Sequence, residues 1–122
     1  MKIKILFFFG LLITLSSCKK NQLGGSSVIK GKVSHHSKAI ANAIIYIKFN
    51  AKEFPGNEIE LYDHSLSSNV NGEFSIACYK GDYYLFAKGI DDQLSQQKNV
   101  SGGVPVNIRN NEIVEMNLAV SE

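Results

Sequence analysis

Short runs of alternating apolar and polar residues fill the chain from Val28 onward, and turn-forming residues separate them. No stretch of ten or more residues beyond Val28 has a helical period, whereas a period of two residues is typical of half-buried strands. Seven short strands at this spacing favour an all-β, Greek-key β-sandwich over a barrel. The predicted strands are Val28–Val33, Ala43–Phe49, an irregular segment near Ile59–Ser67, Phe74–Tyr79, Asp82–Lys88, Val100–Ile108 and Ile113–Val120.

The spacing of these runs also predicts how some strands connect. Phe74–Tyr79 and Asp82–Lys88 are separated by Lys80-Gly81, a short turn in which glycine can adopt a positive φ, so we expect a hairpin. Pro105 lacks an N–H and therefore indicates an edge strand or a bulge. Cys78 shares the parity of the apolar positions in its strand and is expected to be a buried small hydrophobe.

The first 18 residues have a different pattern. Lys2 and Lys4 precede an apolar run that ends near Leu15, and this run is far shorter than the about 20 residues that a spanning helix needs. Leu15-Ser16-Ser17-Cys18 resembles the bacterial lipobox, in which small residues precede an acylated cysteine. The resemblance implies that residues 1–17 are a lipoprotein signal peptide and that Cys18 is lipidated.

Removing such a leader changes the charge balance of the chain. The 13 lysines and arginines fall to 11, which equals the number of aspartates and glutamates, so the mature protein is close to neutral. A neutral chain does not predict nucleic-acid binding.

Residues 18–27 are polar and glycine-rich, which predicts a flexible tether. Residues 28–122 form the predicted sandwich domain. We expect the protein at the outer membrane, facing the periplasm, with display at the cell surface as the alternative.

Four sequence motifs occur in a fixed order within the predicted domain. They are Val28-Ile29-Lys30-Gly31-Lys32-Val33, Ala43-Ile44-Ile45-Tyr46-Ile47, Asn71-Gly72-Glu73-Phe74-Ser75-Ile76 and Lys80-Gly81-Asp82-Tyr83-Tyr84-Leu85. Together they resemble the carboxypeptidase regulatory-like domain, which has a transthyretin-like β-sandwich fold. The resemblance implies a non-catalytic folding or binding module and names no ligand.

The candidate binding face consists of aromatic and aliphatic residues on the outward parity of two strands. Tyr84 and Phe86 alternate with the inward Tyr83 and Leu85 of one strand, and Ile44 and Tyr46 take the outward positions of another. If these four residues share one sheet, they form an apolar platform that can stack on sugar rings or meet a protein. The alternative is that loops or the tether cover them.

Candidate chemistry elsewhere in the sequence is weak. His35 and His36 are adjacent, so in a strand they project to opposite sides, and we expect no metal site and no cofactor. We therefore expect a non-enzymatic lipoprotein attached to a membrane through its lipid. The predicted function is a protein-interaction or accessory module with an envelope protein as partner. The alternative is a carbohydrate-binding module of a surface glycan-capture system.

Overall fold

The computed structural model describes residues 19–92 and 96–122. The predicted signal peptide and the lipidation site Cys18 lie outside the described residues. Within the described ranges, the fold contains no helix with the length and hydropathy to span a bilayer. The strands are β1 (Leu23–His35), β2 (Lys38–Ala39), β3 (Ile44–Phe49), β4 (His64–Ser67), β5 (Glu73–Cys78), β6 (Gly81–Asp91), β7 (Lys98–Ile108) and β8 (Ile113–Ala119), with a 3-10 helix at Ile59–Leu61.

The strands form two four-stranded sheets. In the first sheet, β1 is central: it pairs antiparallel with β2 and β5, and parallel with β8. The second sheet is antiparallel throughout, in the order β4-β3-β6-β7. The predicted all-β sandwich is confirmed. The sequence did not predict the two-residue strand β2, nor the 3-10 helix, which occupies the first part of the segment predicted as an irregular strand. Because β7 is an edge strand, the edge position of Pro105 is also confirmed.

The core lies between the two sheets and is built from the alternate residues that face inward. Ile29 and Val33 of β1 and Leu85 of β6 have no accessible surface, and Tyr83 is also buried. Cys78 is a buried free thiol, as predicted, and burial raises its pKa above the ordinary value. The inward parity expected for these residues is therefore confirmed.

Two glycines allow the first sheet to close. A Cβ on Gly31 would lie 2.5 Å from Cζ of Phe74, so the absence of a side chain admits the Phe74 ring. Gly72 has a φ of 77°, and a Cβ there would lie 2.7 Å from the carbonyl oxygen of Val33. Both positions therefore depend on glycine for steric reasons.

The predicted hairpin across Lys80-Gly81 is wrong. β5 pairs with β1, whereas β6 pairs with β3 and β7, so the connection crosses from one sheet to the other. Tyr83 stabilises this crossing, because its hydroxyl donates a hydrogen bond to the carbonyl oxygen of Tyr79 at 2.7 Å. Strands β7 and β8 likewise lie in different sheets and are joined by a bridge between Ser101 and Ser121.

The predicted flexible tether is shorter than expected, because β1 already begins at Leu23. Leu23 and Ser27 both lie opposite Cys78, so the residues between them form a bulge. Gly24 and Gly25 adopt φ values of 94° and 82° in this bulge. A Cβ on Gly25 would lie 2.8 Å from the Tyr79 ring, so the two glycines pack beneath that ring. Residues 23–27 are therefore part of the domain.

Candidate functional site

The four residues of the predicted binding face lie on one face of the second sheet. Ile44 and Tyr46 belong to β3, Tyr84 and Phe86 belong to the neighbouring β6, and Tyr46 lies directly opposite Phe86. This face points away from the core. The condition for an apolar platform, that the four residues share one sheet, is therefore met.

A loop covers part of this face. Residues 50–63, called here the covering loop, bring Phe54 to within 5.8 Å of Tyr84 and 5.2 Å of Phe86, measured between ring centroids. Tyr62 stacks on Phe86 at 5.7 Å with an angle of 16° between the rings. Tyr84 and Phe86 are consequently buried, at 9% and 3% exposure. Tyr84 and Phe86 therefore form no open platform, and the expectation that a loop covers them is confirmed.

Tyr46 completes an aromatic cluster of five residues: Tyr46, Phe54, Tyr62, Tyr84 and Phe86. The Tyr46 ring lies 5.8 Å from Tyr62 and 6.5 Å from Phe86. Tyr46 is half-buried and Ile44 is exposed, so these two members of the predicted face remain accessible to a ligand.

Burial in the cluster changes the chemistry of its phenols. Desolvation, with a smaller contribution from Tyr84, raises the pKa of Tyr62 to about 12. Desolvation also raises the pKa of Tyr84. The Tyr62 hydroxyl donates a hydrogen bond to the carbonyl oxygen of Gly56 at 2.8 Å, which ties the two halves of the covering loop together. The Tyr62 phenol therefore keeps its proton above its ordinary pKa of 10.0.

Asp63 holds the end of the covering loop against β3. Its carboxylate accepts a hydrogen bond from the backbone N–H of Phe49 at 2.8 Å and lies 3.6 Å from the Lys48 ammonium. Its own N–H donates to the carbonyl oxygen of Ile47 at 2.8 Å. Since both ends of the loop are fixed to the sheet, the cover is part of the fold.

A groove of about 850 Å³ lies beside the aromatic cluster, at the end of the sandwich where β3 begins and β6 ends. Its apolar surface comes from Ala39, Ile40, Ala41, Ile44, Tyr46, Val70 and Ile90. Amide and charged side chains supply the polar surface, which is the usual composition of a site for a small organic ligand. The polar residues that line the groove are Lys38, Asn42, Asn71, Lys88, Asp91, Asp92, Gln97 and Asn99.

The side chains of Ser68 and Asn69 hold the loops beside the groove through hydrogen bonds to the backbone. The Ser68 hydroxyl accepts a hydrogen bond from the N–H of Ala43 and donates one to the carbonyl oxygen of Ile40, which fixes the entrance to β3. The Asn69 side-chain oxygen accepts hydrogen bonds from the N–H groups of Asn71 and Glu73, each at 2.9 Å. The turn that carries Asn71 into the groove is thereby held in one conformation.

Behind the groove, His35 and Asp91 form a buried pair that links the two sheets. Nδ1 of His35 donates a hydrogen bond to the Asp91 carboxylate at 2.7 Å, and both side chains are at most 4% exposed. His35 is the last residue of β1 in the first sheet, and Asp91 is the last residue of β6 in the second. His36 and Ser37 form a turn with positive φ values, whereas His35 belongs to the interior. No cluster of three metal-ligating side chains occurs within residues 19–92 and 96–122.

A second cavity, of about 740 Å³, lies where β4 and β5 form neighbouring edges of the two sheets. Leu66, Phe74 and Met116 line it together with Lys32 and Glu73. Its aromatic ring, Phe74, is buried in the core and presents no open face. The groove beside Tyr46 therefore carries the stronger case for ligand binding.

Sequence reasoning missed the polar half of the groove and both aromatic residues of the covering loop. Asn71 comes from the connection between β4 and β5, whereas Gln97 and Asn99 lie at the start of β7, and only the sandwich brings them to one end. Phe54 and Tyr62 lie in a polar stretch next to Pro55 and Gly56, without a period that assigns them to a strand.

Comparisons with known proteins support the fold. No protein-family model matches the sequence, and no curated protein matches it, so membership of the carboxypeptidase regulatory-like family stays a prediction. A crystal structure of a candidate carbohydrate-binding protein from Pseudomonas aeruginosa is similar, with a TM-score of 0.58 and 14% identity over 82% of this chain and 91% of that one. A DUF3823 family protein from Parabacteroides merdae has a TM-score of 0.51 and 21% identity over 80% of this chain, which spans 47% of that protein. At these identities the likeness establishes the β-sandwich fold.

Proposed function

We propose that the protein is a non-catalytic binding module of the bacterial envelope, lipid-anchored at Cys18, whose groove binds carbohydrate. The observation that carries the proposal is the juxtaposition of Tyr46 with the amide side chains of Asn71, Gln97 and Asn99. A sugar ring presents an apolar C–H face, which packs on aromatic rings, and hydroxyl groups that need both donors and acceptors. An amide side chain supplies both.

The surroundings of Tyr46 favour binding without reorganisation. Its ring contacts Tyr62 and Phe86, which are themselves packed under the covering loop. A ring that is already held in position loses little conformational entropy when a ligand binds. The similarity to the Pseudomonas aeruginosa structure also supports a carbohydrate-binding module, because that protein carries the same proposed activity.

The carboxylates of the groove support the non-catalytic part of the proposal. Glycosidases use a pair of carboxyl groups on either side of the scissile bond. Asp91, one of the two aspartates that line the groove, is buried and accepts the hydrogen bond of His35. Because Asp91 links the two sheets, Asp92 is the one exposed carboxylate among the described residues that line the groove, and a glycosidase would need a pair.

Saccharide binding to the purified full-length protein tests the proposal. A glycan array identifies the ligand, and calorimetry then compares the wild type with Tyr46→Phe, Tyr46→Ala and Asn99→Ala. We expect Tyr46→Ala to weaken binding by about tenfold or more, corresponding to about 1.4 kcal/mol, and Tyr46→Phe to retain most of the affinity. Phe54→Ala is the matched control, because Phe54 belongs to the aromatic cluster but does not line the groove. Equal losses for Phe54→Ala and Tyr46→Ala would contradict the groove as the site.

A protein partner is the second candidate function, and the covering loop carries the observation that favours it. Phe54, Ile59 and Leu61 are each at least 40% exposed on this loop. Exposed apolar side chains that lie together are typical of protein-docking surfaces. Crosslinking in intact cells followed by purification tests this function. If a crosslinked partner is lost in Phe54→Ala and in Ile59→Ser but still recovered with Tyr46→Ala, protein docking is favoured over carbohydrate binding.

A further inference from the structure

The two ends of the sandwich differ in what they present. The groove end carries the loops that follow β1, β4 and β6. The opposite, N-terminal end is formed by residues 19–22, the connection between β5 and β6, and the turn between β7 and β8. β6 runs the full length of the sandwich between them, which for its 11 residues is roughly 35 Å.

The chain is fixed to the N-terminal end immediately after the predicted anchor. The N–H of Asn21 donates to the carbonyl oxygen of Lys80 at 2.9 Å, and its side-chain oxygen accepts the N–H of Asp82 at 2.9 Å. The carbonyl oxygen of Gln22 accepts a hydrogen bond from the N–H of Tyr79 at 2.9 Å and lies 3.0 Å from the hydroxyl oxygen of Tyr83. Only Lys19 and Lys20 lie between Cys18 and Asn21. The three residue steps from Cys18 to Asn21 span at most about 10 Å when fully extended.

The outward charges of the N-terminal end are basic. Lys19, Lys20, Lys80 and Arg109 are all exposed. The acidic groups at this end are half-buried and already bonded: Asp82 accepts the side-chain N–H of Asn107 at 2.9 Å, and Glu112 accepts the backbone N–H of Arg109 at 3.0 Å. A lipid surface that carries phosphate groups complements this arrangement.

We infer that the N-terminal end of the sandwich rests on the phospholipid surface, with Lys80 and Arg109 against phosphate groups, so that the groove faces away from the membrane. The inference rests on the proposed anchoring at Cys18. A short tether limits the domain to orientations that keep Asn21 near the bilayer. Basic residues on both turns beside Asn21 then select the orientation in which they meet the headgroups.

Spin labels on the full-length lipoprotein test the orientation. Intact-mass measurement first establishes acylation of Cys18, and the protein is then placed in vesicles of phosphatidylethanolamine and phosphatidylglycerol. Nitroxides are attached at Asn110→Cys, in the turn between β7 and β8, and in a separate sample at Val70→Cys, at the groove end. Cys78 has no accessible surface, and unsubstituted protein provides the labelling control. Collisions with lipid-soluble oxygen and with a water-soluble nickel chelate are measured for each label.

We expect a higher oxygen-to-nickel collision ratio at position 110 than at position 70. The difference should shrink in Lys80→Glu/Arg109→Glu and persist in the matched pair Lys38→Glu/Lys98→Glu. Equal ratios at the two positions in acylated protein would overturn the inference and leave carbohydrate binding untouched. Protein without acylation at Cys18 would overturn both the anchoring and this inference, whereas the saccharide assay would still report on the groove.

Discussion

Replacement of Phe86 by alanine separates a buried structural ring from an exposed binding residue. Phe86 is 3% exposed and contacts three rings, those of Phe54, Tyr62 and Tyr46, at centroid distances between 5.2 and 6.5 Å. Substitutions of buried phenylalanine by alanine cost about 3–5 kcal/mol of the free energy of unfolding, through lost burial and the remaining cavity. Because a loop covers this ring and can partly settle into the space, we expect about 3 kcal/mol.

The matched control is Phe54→Ala in the same aromatic cluster. Phe54 is 47% exposed, so about half of its surface already contacts water, and its loss should cost about 1 kcal/mol. Urea unfolding, followed by circular dichroism, gives both values if the slope of the transition stays unchanged. A larger cost for Phe54→Ala than for Phe86→Ala would refute the assignment of Phe86 to the interior. A cost for Phe86→Ala within about 0.5 kcal/mol of zero, as expected at an ordinary surface position, would do the same.

Two further predictions concern stability. Asp91→Ala leaves buried His35 without its hydrogen-bond acceptor and should lower the free energy of unfolding in urea by at least about 2 kcal/mol. Asp92→Ala, at the adjacent exposed position, should change it by less than about 0.5 kcal/mol. Similar costs for the two variants would contradict a structural role for the pair of His35 and Asp91. The raised pKa of Tyr62, about 12, means that the folded protein retains this proton above the ordinary value of 10.0, so stability is present below that value and is lost as the pH rises toward about 12. Tyr62→Phe should flatten this alkaline loss in urea unfolding at about pH 9 to about pH 11, and an unchanged slope would contradict burial of the phenol.

The sequence predicted the structural features that depend on residues close together in the chain. Alternation with a period of two residues gave the strands and their inward faces, including Ile29, Val33 and Cys78, because successive side chains of a strand point to opposite sides. Gly31 and Gly72 stand in the motifs quoted above, but the groups that exclude a side chain there, the Phe74 ring and the Val33 carbonyl, belong to other strands. The fold class followed from these local patterns together.

The partners of the strands were harder to predict. Lys80-Gly81 has the composition of a hairpin turn, but the same two residues allow the chain to cross between sheets. Cys78 and Tyr83 are core residues of opposite sheets, and the strands that their own strands pair with, β1 for β5 and β3 and β7 for β6, lie elsewhere in the chain. The bonds of Asn21 to Lys80 and Asp82 are equally distant in sequence and were missed for this reason.

The covering loop had one signal in the sequence. All five residues from Tyr83 to Ala87 are buried, and they form a continuous apolar run of the kind found in strands that are covered on both faces. An outward aromatic pair within such a run therefore indicates a cover rather than an open platform. Phe54 and Tyr62, the aromatic residues nearest in sequence to β3, then become the natural candidates for that cover.

The cover determines where a ligand can bind, because it removes Tyr84 and Phe86 from the surface and leaves Ile44 and Tyr46 at the edge of the groove. Binding is thereby moved toward the end of the sandwich that lies opposite Asn21. None of the described residues that line the groove also lines the depression around Lys80 and Arg109. If the two ends serve ligand and membrane separately, substitutions at Lys80 and Arg109 should change the orientation of the domain without changing saccharide affinity. Tyr46→Ala should do the reverse, because Tyr46 lies opposite Phe86, which is roughly 17 Å along β6 from Gly81.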